Sequence, residues 1–267
     1  MEIDRNYLNH QKIRKRMKTK LSARMYTYIL LFVFLGCTEK KKESDDPEIK
    51  TVQGLFERMK SVNDSLWFKD YTFKQHTVFY DQSGKKKDSA LWHEKVSYPY
   101  LFRIDRDIEK GNYTVYRNDS TYHVLADTLY SATDHPAAHL VFKGGLYFIP
   151  LQEAIGKLEQ YGYDLRSFKK DSFMGEPVYI IGDTDNQFWL HAKNYYCMRR
   201  IYNTDEGKIV DVVYEDFKPL GRGWVEQKVT FYLDRRKTME EFYLDITIRD
   251  SIAPKTYEIP KEIVKGR

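Results

Sequence analysis

The chain has 267 residues and a formal net charge of +5, with a sequence pI near 8.8. Because residues 1–36 hold 8 of the 44 Lys and Arg and 2 of the 39 Asp and Glu, the remaining chain holds 36 and 37, a net charge of −1. The basic pI therefore comes from the N-terminal segment. Since the remaining chain is nearly neutral, its charge gives no argument for nucleic-acid binding.

The N-terminus has the pattern of an export signal. Lys18, Lys20 and Arg24 precede an apolar run at residues 29–35, which Gly36 and Cys37 close. The stretch from Met25 to Gly36 is about 12 residues, whereas a membrane-spanning helix needs roughly 20. We therefore predict a cleaved signal peptide at 1–36, which shortens to 17–36 if Met17 is the translation start. The alternatives are an uncleaved membrane anchor and a buried helix. The lysine-rich stretch at 39–43, directly after the cysteine, argues against both.

The residues Phe34-Leu35-Gly36-Cys37 resemble the lipobox of bacterial lipoproteins. The resemblance implies that Cys37 is lipidated and attaches the mature chain to a membrane. Residues 37–50 are then a polar tether. Thr38 after the lipidated cysteine favours the outer membrane by analogy, facing the periplasm or the cell surface. Cys197 is left as the remaining thiol, so no intrachain disulfide is possible, and we expect it to be a core residue rather than a nucleophile.

Residues 51–267 show no second linker and no internal repeat, which predicts one domain. Apolar residues from Val52 to Val62 follow helical spacing. Strict alternation then begins at Tyr71–Phe79 and predicts the first of a series of antiparallel strands joined by tight turns. Further strands of this first half are predicted around Ala90–Val96, Phe102–Ile104, Tyr113–Val115 and Tyr122–Val124.

The second half begins with a helical interlude, in which one helix starts near Pro136 and another at Pro150. Six strand candidates follow: 177–181, 186–190, 198–202, 208–217, 224–233 and 240–248. In the last pair we expect an apolar face containing Val225, Val229, Phe231, Leu233, Phe242, Leu244, Ile246 and Ile248. The opposite, solvated face would contain Glu226, Lys228, Thr230, Glu241, Asp245 and Thr247.

About eleven antiparallel strands and a few helices predict an α+β, mainly antiparallel fold. The strands would form an unclosed half β-barrel, with the helices covering its concave apolar face. The chain has 22 Tyr, 15 Phe and 4 Trp. These rings either fill a core that the sheet cannot otherwise close, or line an apolar cavity for a lipid chain. The composition alone does not decide between the two.

A succession of short segments resembles the outer-membrane lipoprotein carrier and sorting proteins, the LolA/LolB-like superfamily. The segments extend over residues 50–250 and occur in the superfamily's order: 71–75, 92–94, 98–99, 102–105, 116–122, 175–181, 188–190 and 199–200. The resemblance implies an apolar interior that shields acyl chains or lipoproteins during transfer between membranes. Since this chain is predicted to be lipid-anchored, it is more similar to the receptor branch, or to a specialised relative, than to the soluble carrier.

The resemblance also implies which residues line the cavity. The inward strand positions would be Phe73, Phe79, Trp92, Phe102, Ile104, Val115 and Val124. Arg103 would meet a polar group at the mouth of the cavity, although an exposed cross-strand pair with Asp105 is an equal alternative.

Motifs for catalysis are missing from the sequence. His135 and His139 have i, i+4 spacing, but no third ligand completes a metal site. There is no nucleophile elbow, phosphate-binding loop or dinucleotide motif. We therefore predict no enzyme activity, no metal and no cofactor. Lipid or lipoprotein binding comes first, a tethered cell-envelope binding or assembly module without lipid cargo second, and an unrecognised hydrolase third. The sequence leaves the oligomeric state open.

Overall fold

The computed structural model describes residues 48–63, 66–117, 119–134, 138–204 and 206–260. Ile49–Arg267 forms a compact unit. The predicted signal peptide, Cys37 and most of the tether lie outside the described residues. None of the helices in the described part has both the length and the apolar character that crossing a membrane requires.

The elements follow one another in an order that separates two runs of strands by a helical interlude. The first run consists of α1 (Val52–Asn63), β1 (Asp70–Tyr80), β2 (Lys86–Ser97), β3 (Leu101–Asp107), β4 (Asn112–Arg117), β5 (Ser120–Leu125) and β6 (Thr128–Thr133). The interlude contains α2 (Ala138–Lys143), a 3₁₀ turn (Gly145–Tyr147) and α3 (Leu151–Gln160). The second run consists of β7 (Phe168–Phe173), β8 (Glu176–Gly182), β9 (Gln187–His191), β10 (Cys197–Asn203), β11 (Ile209–Glu215), β12 (Lys218–Leu220), β13 (Gly223–Val225), β14 (Lys228–Leu233) and β15 (Arg236–Arg249).

Thirteen strands form one antiparallel sheet in the order β6-β5-β4-β3-β2-β1-β15-β14-β11-β10-β9-β8-β7, and β12 and β13 form a separate hairpin. The pairing of β1 with β15 joins the first run to the second. Within the described residues the sheet ends at β6 and β7, which do not pair with each other. The predicted α+β class and the unclosed antiparallel sheet are therefore confirmed.

The sheet has more strands than the eleven predicted because its two edges were missed. β6 and β7 are largely solvent-exposed and lack an alternating apolar pattern. An edge strand is bounded by one neighbour only, and a polar sequence protects it from pairing with other chains. Periodicity of apolar residues, which identified the interior strands, is therefore weak at the edges.

The helices cover part of the concave face, as predicted. Phe188 of β9 is fully buried there, and its ring contacts Phe56 of α1, Phe142 of α2 and Tyr163 at centroid distances of 6.5, 4.9 and 5.2 Å. The same core includes Tyr71 and Phe73 of β1. Alternate residues of β1 do point to one face, as its sequence predicts.

The expected faces of β15 are wrong in part. Asp245 has a positive φ of 53°, and the register between β1 and β15 shifts at this point. A bulge of this kind changes which residues point inward. Tyr243 and Glu241 are consequently buried on the concave side, whereas Leu244 is exposed. Only after the bulge does Ile246 pack against the core.

A second core cluster lies on the outer face of β3 to β6. Tyr257, in a 3₁₀ turn at Pro254–Tyr257, packs with Tyr113, Val115, Val124 and Leu129, and Ile252 and Ile259 border this group. Residues 252–260, which we call the C-terminal segment, thus cover the convex side of the sheet. Both faces of β4 are buried as a result.

Candidate functional site

A cavity of about 350 Å³ opens on the concave face, beside the helices. One wall comes from β1 to β4, the other from β10, β11, β14 and β15, and α2 contributes His139 and Lys143. The residues that line it are Gln75, Trp92, Glu94, Phe102, Ile104, Arg106, Tyr116, His139, Lys143, Arg200, Tyr202, Val212, Tyr214, Val229, Phe231, Met239, Glu241 and Tyr243. Its volume is at the lower end of the roughly 300–1,000 Å³ of small-molecule sites.

Three of the seven predicted lining residues are on the wall formed by β1 to β4: Trp92, Phe102 and Ile104. Phe102 stacks on Tyr116 at a centroid distance of 5.4 Å, and the ring of His139 meets both of them edge-on. Since aromatic faces and an aliphatic side chain adjoin here, this part of the cavity suits an apolar ligand.

The other four predicted residues are elsewhere. Phe73 points inward but is closed off in the core, where its ring lies 4.4 Å from that of Tyr243. Phe79 lies behind Trp92, with 6.0 Å between the ring centroids. Val115 and Val124 belong to the outer-face cluster, so for these two the predicted position is wrong. The reason is the C-terminal segment, which makes the convex face of β4 and β5 as apolar as the concave one.

Arg103 also lies on the outer face rather than at the mouth. Its Nε donates to Asp105 Oδ1 at 2.7 Å, and its Nη1 donates to the Thr256 carbonyl at 3.0 Å. Asp105 is thus its partner, but the two residues lie on the same strand, β3, and Asp105 is buried, so the expected exposed cross-strand pair is wrong in its geometry. Its guanidinium stacks on the Tyr113 ring at 3.6 Å. The arginine of β3 that does border the cavity is Arg106, which is solvent-exposed and lies 5.1 Å from the Trp92 ring centroid.

One end of the cavity contains buried carboxyl groups, although the sequence pattern predicts surface charges at these positions. Glu94 and Glu241 line this end, and Glu226 lies behind it. Lys143 stands among them, with its Nζ 2.5 Å from Glu226 Oε1 and donating to Tyr243 Oη at 2.6 Å. We call Glu94, Glu226, Glu241 and Lys143 the acidic cluster.

The acidic cluster is electrostatically strained. Burial raises the pKa of Glu241 to about 7, although the positive charge of Lys143 and a hydrogen bond from Tyr243 oppose the shift. Burial also raises the pKa of Glu94 well above its usual range, and the neighbouring Glu241 carboxylate adds to the effect. Glu94 is 3% exposed, and its Oε1 has no hydrogen-bond partner within the described part of the chain. A buried carboxylate without a donor costs free energy that a ligand donor could recover.

Arg200 lines the cavity from the opposite wall, on β10, and it is 7% exposed. In the sheet, β11 and β14 separate β10 from β15, which carries Glu241. The cavity therefore has an acidic end and a cationic end, with apolar side chains between them.

Comparison with solved structures identifies the architecture. A LolA superfamily protein from Nitrosomonas europaea superposes with a TM-score of 0.52 at 10% sequence identity, covering 79% of this chain and 98% of that chain. The fold is LolA-like. A DUF1329 family protein from Desulfovibrio piger superposes with a TM-score of 0.50 at 12% identity, over 77% of this chain and 95% of that one. No protein-family model matches the sequence, and neither does any curated protein.

The structure of the LolA-like domain also places the thiol and one of the two histidines considered from the sequence. Cys197 is buried in the core, and burial raises the pKa of its thiol to about 12, so the thiolate nucleophile does not form at neutral pH. Among the described residues no three His, Cys, Asp or Glu side chains converge as metal ligands. His139 packs between aromatic rings, and His135 lies outside the described residues.

Proposed function

We propose that the protein binds the acyl chain of a lipid or lipoprotein in the concave cavity, while a lipid on Cys37 holds it at the outer membrane. The observation that carries the proposal is the cavity itself, with Trp92, Phe102 and Ile104 on one wall of a LolA-like sheet. The function is binding without bond-making chemistry, and lipoprotein sorting is the process in which we expect it to act.

The volume of the cavity and the free energy of methylene burial are both consistent with one bound acyl chain. A cavity of about 350 Å³ is small for several acyl chains together. Burial of each methylene group contributes about 0.8 kcal/mol. Half a dozen buried methylenes would then contribute about 5 kcal/mol before the cost of immobilising the chain. A single acyl chain is therefore a sufficient ligand.

Native mass spectrometry of Ile49–Arg267, followed by lipid extraction, tests this function directly. We expect the purified protein to retain an acyl species, or to take one up when incubated with fatty acids and lipopeptides. A protein that stays unliganded after both treatments would overturn the proposal and favour a tethered binding or assembly module.

Two substitutions test whether the acyl chain binds at this apolar wall. Trp92→Asp and Phe102→Asp each place a charge in the apolar wall, so we expect retention of a fluorescent fatty-acid probe to fall about tenfold or more. Leu91→Asp is the matched control, because Leu91 neighbours Trp92 on the opposite face of β2 and is 52% exposed. Equal retention by all three variants and the wild type would place the probe elsewhere.

A further inference from the structure

Two consecutive arginines of β10 have opposite surroundings. Arg199 points away from the cavity and forms a bidentate ion pair with Asp211, with N–O distances of 2.9 and 2.6 Å. Arg200 points into the cavity, and among the described residues no carboxylate pairs with it. It makes two contacts of 3.5 Å to the Tyr163 hydroxyl, at the outer limit for hydrogen bonds, and a hydrogen bond with the Tyr214 hydroxyl, so its partners are neutral phenols.

Aromatic rings fix the position of the Arg200 guanidinium. Its central carbon lies 4.4 Å from the Phe142 ring centroid and 5.0 Å from that of Tyr202. Stacking of this kind uses the faces of the guanidinium, whereas its N–H donors point outward in the plane. The guanidinium is therefore held between aromatic rings and phenol hydroxyls, and its partners among the described residues carry no negative charge at neutral pH.

A buried positive charge without a counter-ion is unfavourable. The guanidinium stays protonated at all accessible pH values, so Arg200 cannot avoid the cost by losing its charge. A planar two-oxygen anion is the partner that a guanidinium binds best, through two parallel charge-assisted hydrogen bonds. The cavity beside Arg200 provides the space for such a group.

An apolar track leads away from Arg200 along the concave face. Arg200 is paired across the sheet with Val212, Val212 with Phe231, and Phe231 with Met239, and all four line the cavity. Beyond this row lie Glu94 and Glu241, whose buried carboxyl groups retain their protons to a higher pH than usual and do not attract an anion, and Lys143 beside them is already paired with Glu226. The charge distribution thus orients a ligand, with an acidic group at Arg200 and its hydrocarbon on the track.

We propose that Arg200 binds the anionic head group, carboxylate or phosphate, of a single-chain amphiphile whose hydrocarbon lies along Val212, Phe231 and Met239. This inference rests on the proposed acyl-binding function and specifies its ligand class. It distinguishes acidic amphiphiles from neutral lipids of the same chain length.

The test compares palmitate with methyl palmitate as competitors of a fluorescent fatty-acid probe bound to Ile49–Arg267. We expect the wild type to bind the acid about tenfold or more tightly than the ester, because charge-assisted hydrogen bonds to the head group are lost in the ester. Arg200→Met should abolish that preference while leaving ester affinity nearly unchanged. Arg199→Met is the matched control and should keep the preference, and thermal melting verifies that each variant is folded.

The outcomes separate this inference from the function on which it rests. If neither palmitate nor its ester binds, the acyl-binding function is wrong and the inference fails with it. If both bind equally to the wild type, or if Arg200→Met weakens both equally, only the role of Arg200 is wrong. Dodecyl phosphate and inorganic phosphate form a second pair: inorganic phosphate binding as tightly as the alkyl phosphate would show a free-anion site and overturn the amphiphile proposal.

Discussion

Lys143 Nζ lies 2.5 Å from Glu226 Oε1, and both side chains are almost wholly buried between α2 and the sheet. The same ammonium donates to the Tyr243 hydroxyl on β15. Since α2 comes from the helical interlude and Glu226 from the turn before β14, this ion pair joins the helices to the second run of strands. Glu94 and Glu241 lie close enough for the Lys143 charge to oppose the rise that burial causes in the pKa of both.

Removal of the Lys143 charge should destabilise the protein strongly. Lys143→Met leaves Glu226 buried without its cation, and breaking a buried pair in this way costs about 3–5 kcal/mol of unfolding free energy. Urea unfolding measures the change. Lys110→Met is the control, because Lys110 pairs with Asp107 on the exposed surface, where an ion pair contributes about 0–1 kcal/mol. Equal effects of the two substitutions would contradict the burial of the pair.

Stability should also depend on pH through Glu241. Its folded-state pKa is raised to about 7 by burial, whereas an unfolded Glu titrates near 4.3. A raised carboxyl pKa means that the folded state binds the proton more tightly, so its stabilising contribution is present at low pH and is lost as pH rises to about 7. We expect the free energy of unfolding to fall by on the order of 1–3 kcal/mol between pH 5 and 7.5.

The groups around Glu241 determine how that pH dependence is assigned. Lys143 and Tyr243 favour its charged form, and Glu226 opposes it. Glu94 has a raised pKa of its own and shifts stability in the same direction. Glu241→Gln should therefore flatten the profile between pH 5 and 7.5 without removing it. A profile in Glu241→Gln identical to that of the wild type would show that Glu241 does not titrate in this range.

Local pattern predicted the interior strands because apolar residues alternate along them. It could not predict the bulge at Asp245, which changes the phase of β15 and brings Glu241 into the cavity. Val115 and Val124 were misplaced because the C-terminal segment, more than 120 positions along the chain, covers the convex face. Apolar alternation identifies a buried face but not which of two buried faces it is.

The polar parts of the cavity were missed for a related reason. Arg200, Lys143 and Glu241 come from three distant parts of the chain, and only the folded sheet brings them together. Glu94 did give a signal: it shares the alternation of Trp92 and Val96, which placed a carboxylate on the apolar face of β2. A charged residue in phase with apolar neighbours is a candidate for a functional site.

The C-terminal segment should be essential to the outer-face core but not to ligand binding. Tyr257 is buried against Val115 and Val124, and its hydroxyl lies 3.0 Å from Ser97 Oγ. Tyr257→Ala should lower the free energy of unfolding by about 3–5 kcal/mol, the range for large aromatic truncations. Tyr257→Phe, which loses only the hydrogen bond, should cost about 1 kcal/mol. Probe binding to the folded Tyr257→Phe variant should match the wild type, and a loss would indicate that the two faces are coupled.

Phe188 should hold the helices on the sheet. Its ring is fully buried among Phe56, Phe142 and Tyr163, so Phe188→Ala leaves a cavity where α1 and α2 meet β9. We expect a loss of about 3–5 kcal/mol in unfolding free energy, together with faster hydrogen exchange of the α1 amides than of the β1 amides. Tyr130→Ala on the exposed edge strand β6 is the control and should change stability by about 0.5 kcal/mol or less. Unchanged hydrogen exchange in α1 would show that the helices are held by contacts other than Phe188.

Phe188 also pairs across the sheet with Arg200. Selective loss of acid binding in a folded Phe188→Leu variant would therefore indicate that the helices also position the guanidinium.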